Sequence, residues 1–126
     1  MNTTAPLRLC HHSTLMEGHA KGFAAAGVFA LRHRGGVHVW RDACPHYGST
    51  PLAWRRDAYL DASGTRIVCA AHGAQFEPDT GLCTLGPCLG QSLTAVPFVL
   101  NTQGEIEIEI EIEIEIDRPR IQEPLP

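Results

Sequence analysis

The chain has no long apolar run. Its longest, Gly22 to Leu31, has ten residues, whereas a helix spanning a bilayer needs about 20, so no membrane passage by a helix is expected. It also has no basic cluster, which leaves a nucleic-acid partner without an electrostatic footprint. The formal charge of −4 conceals a nearly neutral body, because six of the 14 acidic residues fall within Glu105 to Glu115 and ten basic residues face the other eight. A secretory signal is not expected either. Glu17 precedes the apolar run, Arg32 and Arg34 follow it, and no small-residue cleavage region separates them, which favours a cytoplasmic protein. Cysteine is odd in number, five in all. Two of the five stand at short spacings from histidine, which argues for metal binding over a disulfide framework.

What is present suits one folded domain. The 126 residues give room for a single core, and 44% hydrophobic with 19% charged residues is the balance of a globular chain. The pattern is one of strands, and the expected class is all-β. Val28 to Arg32 and Val37 to Arg41 are rich in β-branched and aromatic residues and flank His33-Arg34-Gly35-Gly36, which reads as a hairpin with a glycine turn. Ile67 to Cys69, Leu82 to Leu85 and Val96 to Leu100 read as further strands, bounded by Ser63-Gly64, Pro78-Asp79-Thr80-Gly81 and Asn101-Thr102-Gln103-Gly104. Only Pro51 to Leu60 reads as a helical turn.

Glu105 to Ile116 is six consecutive Glu-Ile pairs. As a strand, this period-2 pattern places every isoleucine on one face and every glutamate on the other. At about 3.3 Å per residue it would reach roughly 40 Å, too long for a small domain to cover. The first half, Glu105 to Ile110, is expected to close the domain. The second half is expected to fray or to pair with another chain, so self-association through 105–116 is one reading of the repeat.

The chemistry lies in Cys44-Pro45-His46 and Cys69-Ala70-Ala71-His72, with 22 residues between His46 and Cys69. Together they offer two thiolates and two imidazoles to one site. Each segment follows a strand, and Gly48 and Gly73 come soon after the ligands, as tight loops require. By residue type and spacing alone, the same four side chains could hold a tetrahedral zinc ion.

The wider pattern resembles the Rieske iron-sulfur domains. Cys-x-His followed by Cys-x-x-His is that family's ligand pattern, and His72-Gly73-Ala74-Gln75-Phe76 with Asp79-Thr80-Gly81 resembles its second cluster loop and the turn after it. Gly86-Pro87-Cys88 is similar to its proline-bearing third loop. The resemblance runs from about Val28 to Leu100. It implies small antiparallel sheets with two cluster-binding loops at one end, and one [2Fe-2S] cluster per chain. Cys44 and Cys69 would hold the inner iron, and His46 and His72 the outer one. The domain would occupy 1–116, with cluster loops 44–49 and 69–76, a proline loop 86–88 and the repeat strand 105–116. Residues 117–126 would form a tail.

Charge arithmetic explains the ligand mix. Two ferric ions, two sulfides and two thiolates sum to zero, whereas four thiolates would leave a double negative charge, so an electron is accepted more easily here. High-potential relatives add a loop disulfide and hydroxyl donors to the cluster sulfurs. The matching places here hold Ser49, Ala71, Ala74 and Phe76, which implies a potential at the low end of the family range. The resemblance implies a Rieske-type ferredoxin, an electron-transfer protein and not a catalyst in its own right. It would carry one electron at a time between a reductase and an oxygenase or similar acceptor. Two alternatives are the small subunit of an assimilatory nitrite reductase-like complex and a zinc-stabilised binding module. No second metal motif, such as an oxygenase would need, is present. Cys10, Cys83 and Cys88 read as buried or partly buried thiols, and His11, His12, His19, His33 and His38 as hydrogen-bonded or surface residues. Trp40 and Trp54 read as core or cluster-shielding residues and Tyr47 as a shield.

Overall fold

A computed structural model describes residues 2–45, 51–53, 55–71 and 73–113. His46, Tyr47, Ser49, Trp54, His72 and the segment 114–126, which holds the end of the repeat and the tail, lie outside the described residues. The described residues fold into three three-stranded antiparallel sheets.

The middle sheet is built from β2 (Ala20–Phe23), β3 (Val28–His33) and β4 (Gly36–Arg41), with β3 at its centre. The β3–β4 hairpin turns on Arg34 and Gly35, whose φ angles of 53° and 78° are the left-handed pair that a two-residue hairpin requires. Glu17 holds this turn. Its carboxylate accepts the Arg34 and Gly35 backbone N–H groups at 2.6 and 2.9 Å. Those bonds, from Gly35 first and then Arg34, keep its pKa below the ordinary value of 4.5.

Strand β3 is buried on both faces from Val28 to Leu31. Phe29 and Leu31 enter one apolar core, and Val28 and Ala30 enter another, as the two-residue period of a strand dictates. The middle sheet is therefore shared between two cores. On one side lies the sheet β5 (Ile67–Cys69), β6 (Ala74–Phe76) and β7 (Cys83–Leu85). On the other lies the sheet β1 (Asn2–His11), β9 (Glu105–Glu113) and β8 (Phe98–Leu100), in that order from β1 at one edge.

The repeat as far as Glu113 forms β9, and Ile106, Ile108 and Ile110 point inward as expected. Ile106 and Ile108 are buried beside Val28 and Ala30, which contributes about 2 to 3 kcal/mol for each side chain. Glu109 and Glu111 are exposed. The expectation that the second half finds no partner within its own chain is corrected for its described residues, up to Glu113. β1 pairs with β9 from His11↔Glu105 to Asn2↔Glu113, with a bulge between Arg8 and Cys10. This strand escapes the sequence reading because Pro6 interrupts its pattern, yet on an edge strand a residue without an N–H is tolerated. Strand β2 is also unanticipated. Gly22 within it is required by close approach, because a Cβ there would lie 2.5 Å from the Tyr59 hydroxyl.

The helical turn expected at Pro51 to Leu60 is corrected as well. Among the described residues of that segment, the chain makes one hydrogen-bonded turn, Ala58 N–H to the Arg55 carbonyl at 3.1 Å, and no helix. Asp57 at φ 61° ends it. The helical residues described are two short 3-10 turns, His12–Thr14 and Ala24–Ala26.

Candidate metal centre

Cys44 follows β4 by three residues, and Cys69 is the last residue of β5. Both have no exposed surface, and both belong to the core formed with Phe29, Leu31, Leu52, Ile67 and Phe76. The structure thus brings the two predicted thiols into one apolar region. Beyond Cys69 the chain rises to the surface, with Ala70, Ala71 and Gly73 exposed, and returns to the core at Ala74. Gly73, at φ 70°, donates its N–H to the Cys69 carbonyl at 2.8 Å, a tight return that only glycine makes without strain.

The two cysteine-bearing segments are tied together by groups that the sequence reading did not single out. Asp42, two residues before Cys44, accepts the Leu52 backbone N–H at 2.9 Å and the Tyr59 hydroxyl at 2.8 Å. Leu52 in turn accepts the Ala70 N–H on its carbonyl at 2.9 Å, and Tyr59 accepts the Val68 N–H at 2.8 Å. Asp42 therefore links the approach to the first cysteine with the strand and loop around the second. Tyr59 stacks on Phe29, ring centroids 4.2 Å apart. Burial first, then its bond to Asp42 and the charges of Asp42 and Asp57, push its pKa well above that of an ordinary phenol. It stays a hydrogen-bond donor. An aspartate near a cysteine carries no recognisable spacing signal, so this brace becomes visible only in three dimensions.

The third loop closes on the same core. Gly86, at φ 104°, lies so near β6 that a Cβ there would sit 2.8 Å from the Ala74 Cα. Cys88 is fully buried, and its Sγ lies 3.6 Å from the Sγ of Cys44. Cys83 is buried too and donates its thiol to the Leu85 carbonyl at 3.3 Å. Cys10 is partly buried in the other core. Trp40 fills the core and donates Nε1–H to the Pro78 carbonyl at 3.2 Å. The histidines outside the motif have local partners. Asp79 is 2.8 Å from His33 Nδ1 and 3.3 Å from His38 Nε2, and the His33 bond chiefly keeps the Asp79 pKa below its ordinary 3.8.

The Rieske [2Fe-2S] domain family model matches residues 5–103, and the chain belongs to that family. The fold is shared with solved structures. A ferredoxin from Sphingomonas yanoikuyae B1 is 26% identical, with 84% of this chain and 99% of that one covered at a TM-score of 0.62. The ferredoxin of carbazole 1,9a-dioxygenase from Nocardioides aromaticivorans IC177 is 24% identical, with 82% and 95% covered at 0.62. A protein from Mycobacterium tuberculosis described as an NADH-dependent nitrite reductase small subunit is 20% identical, with 89% and 99% covered at 0.58. A comparison with curated proteins finds no match.

The residues present fit the cluster of this family. Cys44 and Cys69, two of the buried cysteines of one core, are shielded from water on strand-anchored segments, and soft thiolates suit an iron-sulfur cluster. Among the described residues, no helix is long and apolar enough to cross a membrane.

Proposed function

We propose that the protein is a Rieske-type ferredoxin that carries single electrons between a reductase and an oxygenase or similar acceptor. The [2Fe-2S] cluster of the family supplies a one-electron couple when bound. Cys44 and Cys69 are its sulfur ligands in this reading, and His46 and His72 its nitrogen ligands. The observation that carries it is that Cys44 and Cys69 are fully buried in one core and are the two of its buried cysteines that a histidine follows at short spacing. The protein's own residues exclude water from the sulfurs and tie the segment before Cys44 to the strand that ends at Cys69. The Asp42–Tyr59–Leu52 bonds brace these two segments, which limits reorganisation when charge changes at the site.

Ala74 and Phe76, the places of hydroxyl donors in high-potential relatives, are apolar and fully buried, which supports a low potential. The oxygenase as acceptor has support from a neighbour of the same fold, solved as oxidised ferredoxin in complex with a reduced oxygenase of carbazole 1,9a-dioxygenase. The single domain spans 1–116 in this reading, 117–126 is a tail, and the protein works in the cytoplasm.

Iron and sulfide analysis tests the site. About two of each per chain, with a low-average-g paramagnetic signal on reduction, is the expected result. Stoichiometric zinc in a colourless protein from iron-replete cells overturns it. Electron delivery to an oxygenase, compared with delivery to a nitrite reductase large subunit, separates the two partner readings.

A further inference from the structure

We propose that Cys88 is a positioning residue for electron transfer. Its thiol donates a hydrogen bond to the sulfur of Cys44 and shifts the reduction equilibrium toward the reduced state. The inference rests on the reading of Cys44 as a ligand and adds to it a residue from the third loop. The two Sγ atoms are 3.6 Å apart and both side chains are fully buried. Either sulfur could donate in the bare pair. A cysteine bound to iron is a thiolate without a proton, so Cys88 must then be the donor.

The loop that carries Cys88 is fixed at both ends. Gly86 packs its backbone against Ala74, the Cys88 carbonyl accepts the Gln91 N–H at 2.8 Å, and the Gln91 carbonyl accepts the Cys83 N–H at 2.8 Å. The backbone that carries the thiol is thus held in place. A donor on a ligand sulfur disperses negative charge, and the reduced state carries one more electron than the oxidised state, so the bond favours reduction. The apolar side chains at Ala74 and Phe76 provide no such donor, and Cys88 supplies one from a different part of the chain. A thiol is a weaker donor than a hydroxyl, which keeps the effect moderate.

The competing account treats Cys88 as a small apolar filler, and substitutions of the full chain separate the two. Cys88→Ala removes the donor, Cys88→Val removes it while filling the space, and Cys88→Ser keeps a donor. Spectroelectrochemical titration of each cluster-loaded protein should show the Ala and Val variants shifted three- to tenfold toward the oxidised state, tenfold being about 59 mV for one electron. The Ser variant should stay at or above the parent. The iron–thiolate stretching bands in resonance Raman spectra should move in Ala and Val and remain near the parent position in Ser. An unchanged midpoint in Ala and Val, or a Ser variant that falls with them, overturns the proposal. So does loss of the cluster in all three, which would make Cys88 an assembly residue. A separate variant guards the underlying reading: Cys44→Ala with full cluster content removes Cys44 from the ligand set, whatever Cys88 does.

Discussion

The two cores flanking the middle sheet are built on opposite plans. The core that holds Cys44 and Cys69 is assembled from short strands and turns, and many of its contacts are particular to one residue. Gly22 makes room for Tyr59, Gly86 for Ala74 and Gly81 for Trp40, while Asp42 binds two partners at once. The core beneath β9 is covered by two long strands, and the alternation of β9 turns Ile106, Ile108 and Ile110 toward it alike. The contrast separates two tasks. A redox centre needs each neighbour in one place, whereas a supporting sheet needs only apolar area on the correct face.

Substitutions can break this division, and the largest expected effect is at the centre itself. Cys69→Ala should abolish cluster content, read as loss of visible absorption and bound iron. Next comes Ile106→Ala, which empties a fully buried position and should cost about 2 to 5 kcal/mol in urea unfolding. The midpoint potential of the folded fraction should remain that of the parent. A shifted midpoint would show that the two cores are coupled through β3. Tyr59→Phe should cost about 1 kcal/mol by removing the bond to Asp42. It should also speed cluster loss on dilution into chelator, because the segments that carry Cys44 and Cys69 lose part of their brace.

The smallest effect is acid dependence at the surface of the supporting sheet. The Asn101 side chain first, then Arg8, hold the Glu105 pKa below its ordinary 4.5. A carboxylate with a lowered folded pKa contributes stability that is full above the unfolded value and is lost as pH falls through the folded one. The unfolding midpoint should therefore decline as pH drops below about 4.5. Asn101→Ala, by removing the main cause, should flatten that decline. An identical acid profile in the variant would show that Asn101 has no part in it.

Much of this was legible in the sequence where local pattern and outcome coincide. The Arg34-Gly35 turn, the strands at Ile67, Cys83 and Phe98, and the inward isoleucines follow from turn chemistry and two-residue alternation. The motifs and the family pattern put Cys44 and Cys69 at one site, and the two share one core. What escaped was set by contacts distant in sequence. β1 earns its place only by pairing with a strand near the other end of the chain, and its proline hides the pattern. Asp42, Tyr59 and Cys88 acquire roles through neighbours 10 to 44 positions away, which no local window contains.

The Glu-Ile strand has one more consequence. Translating a two-residue repeat along its axis by one unit maps every isoleucine onto an isoleucine, so alternation alone cannot say which unit lies opposite which part of β1. Position is instead marked at one end. Asn101 binds Glu105 and Glu107 through its amide and the Glu105 backbone through its oxygen, and the bulge after Arg8 lies near that end. A chain that gained or lost one Glu-Ile unit beyond Ile108 would keep those marks, the same isoleucines under β3 and an undisturbed metal-binding end. Length can therefore drift at the far end of this strand, in steps of two residues, without touching the part of the molecule that handles electrons.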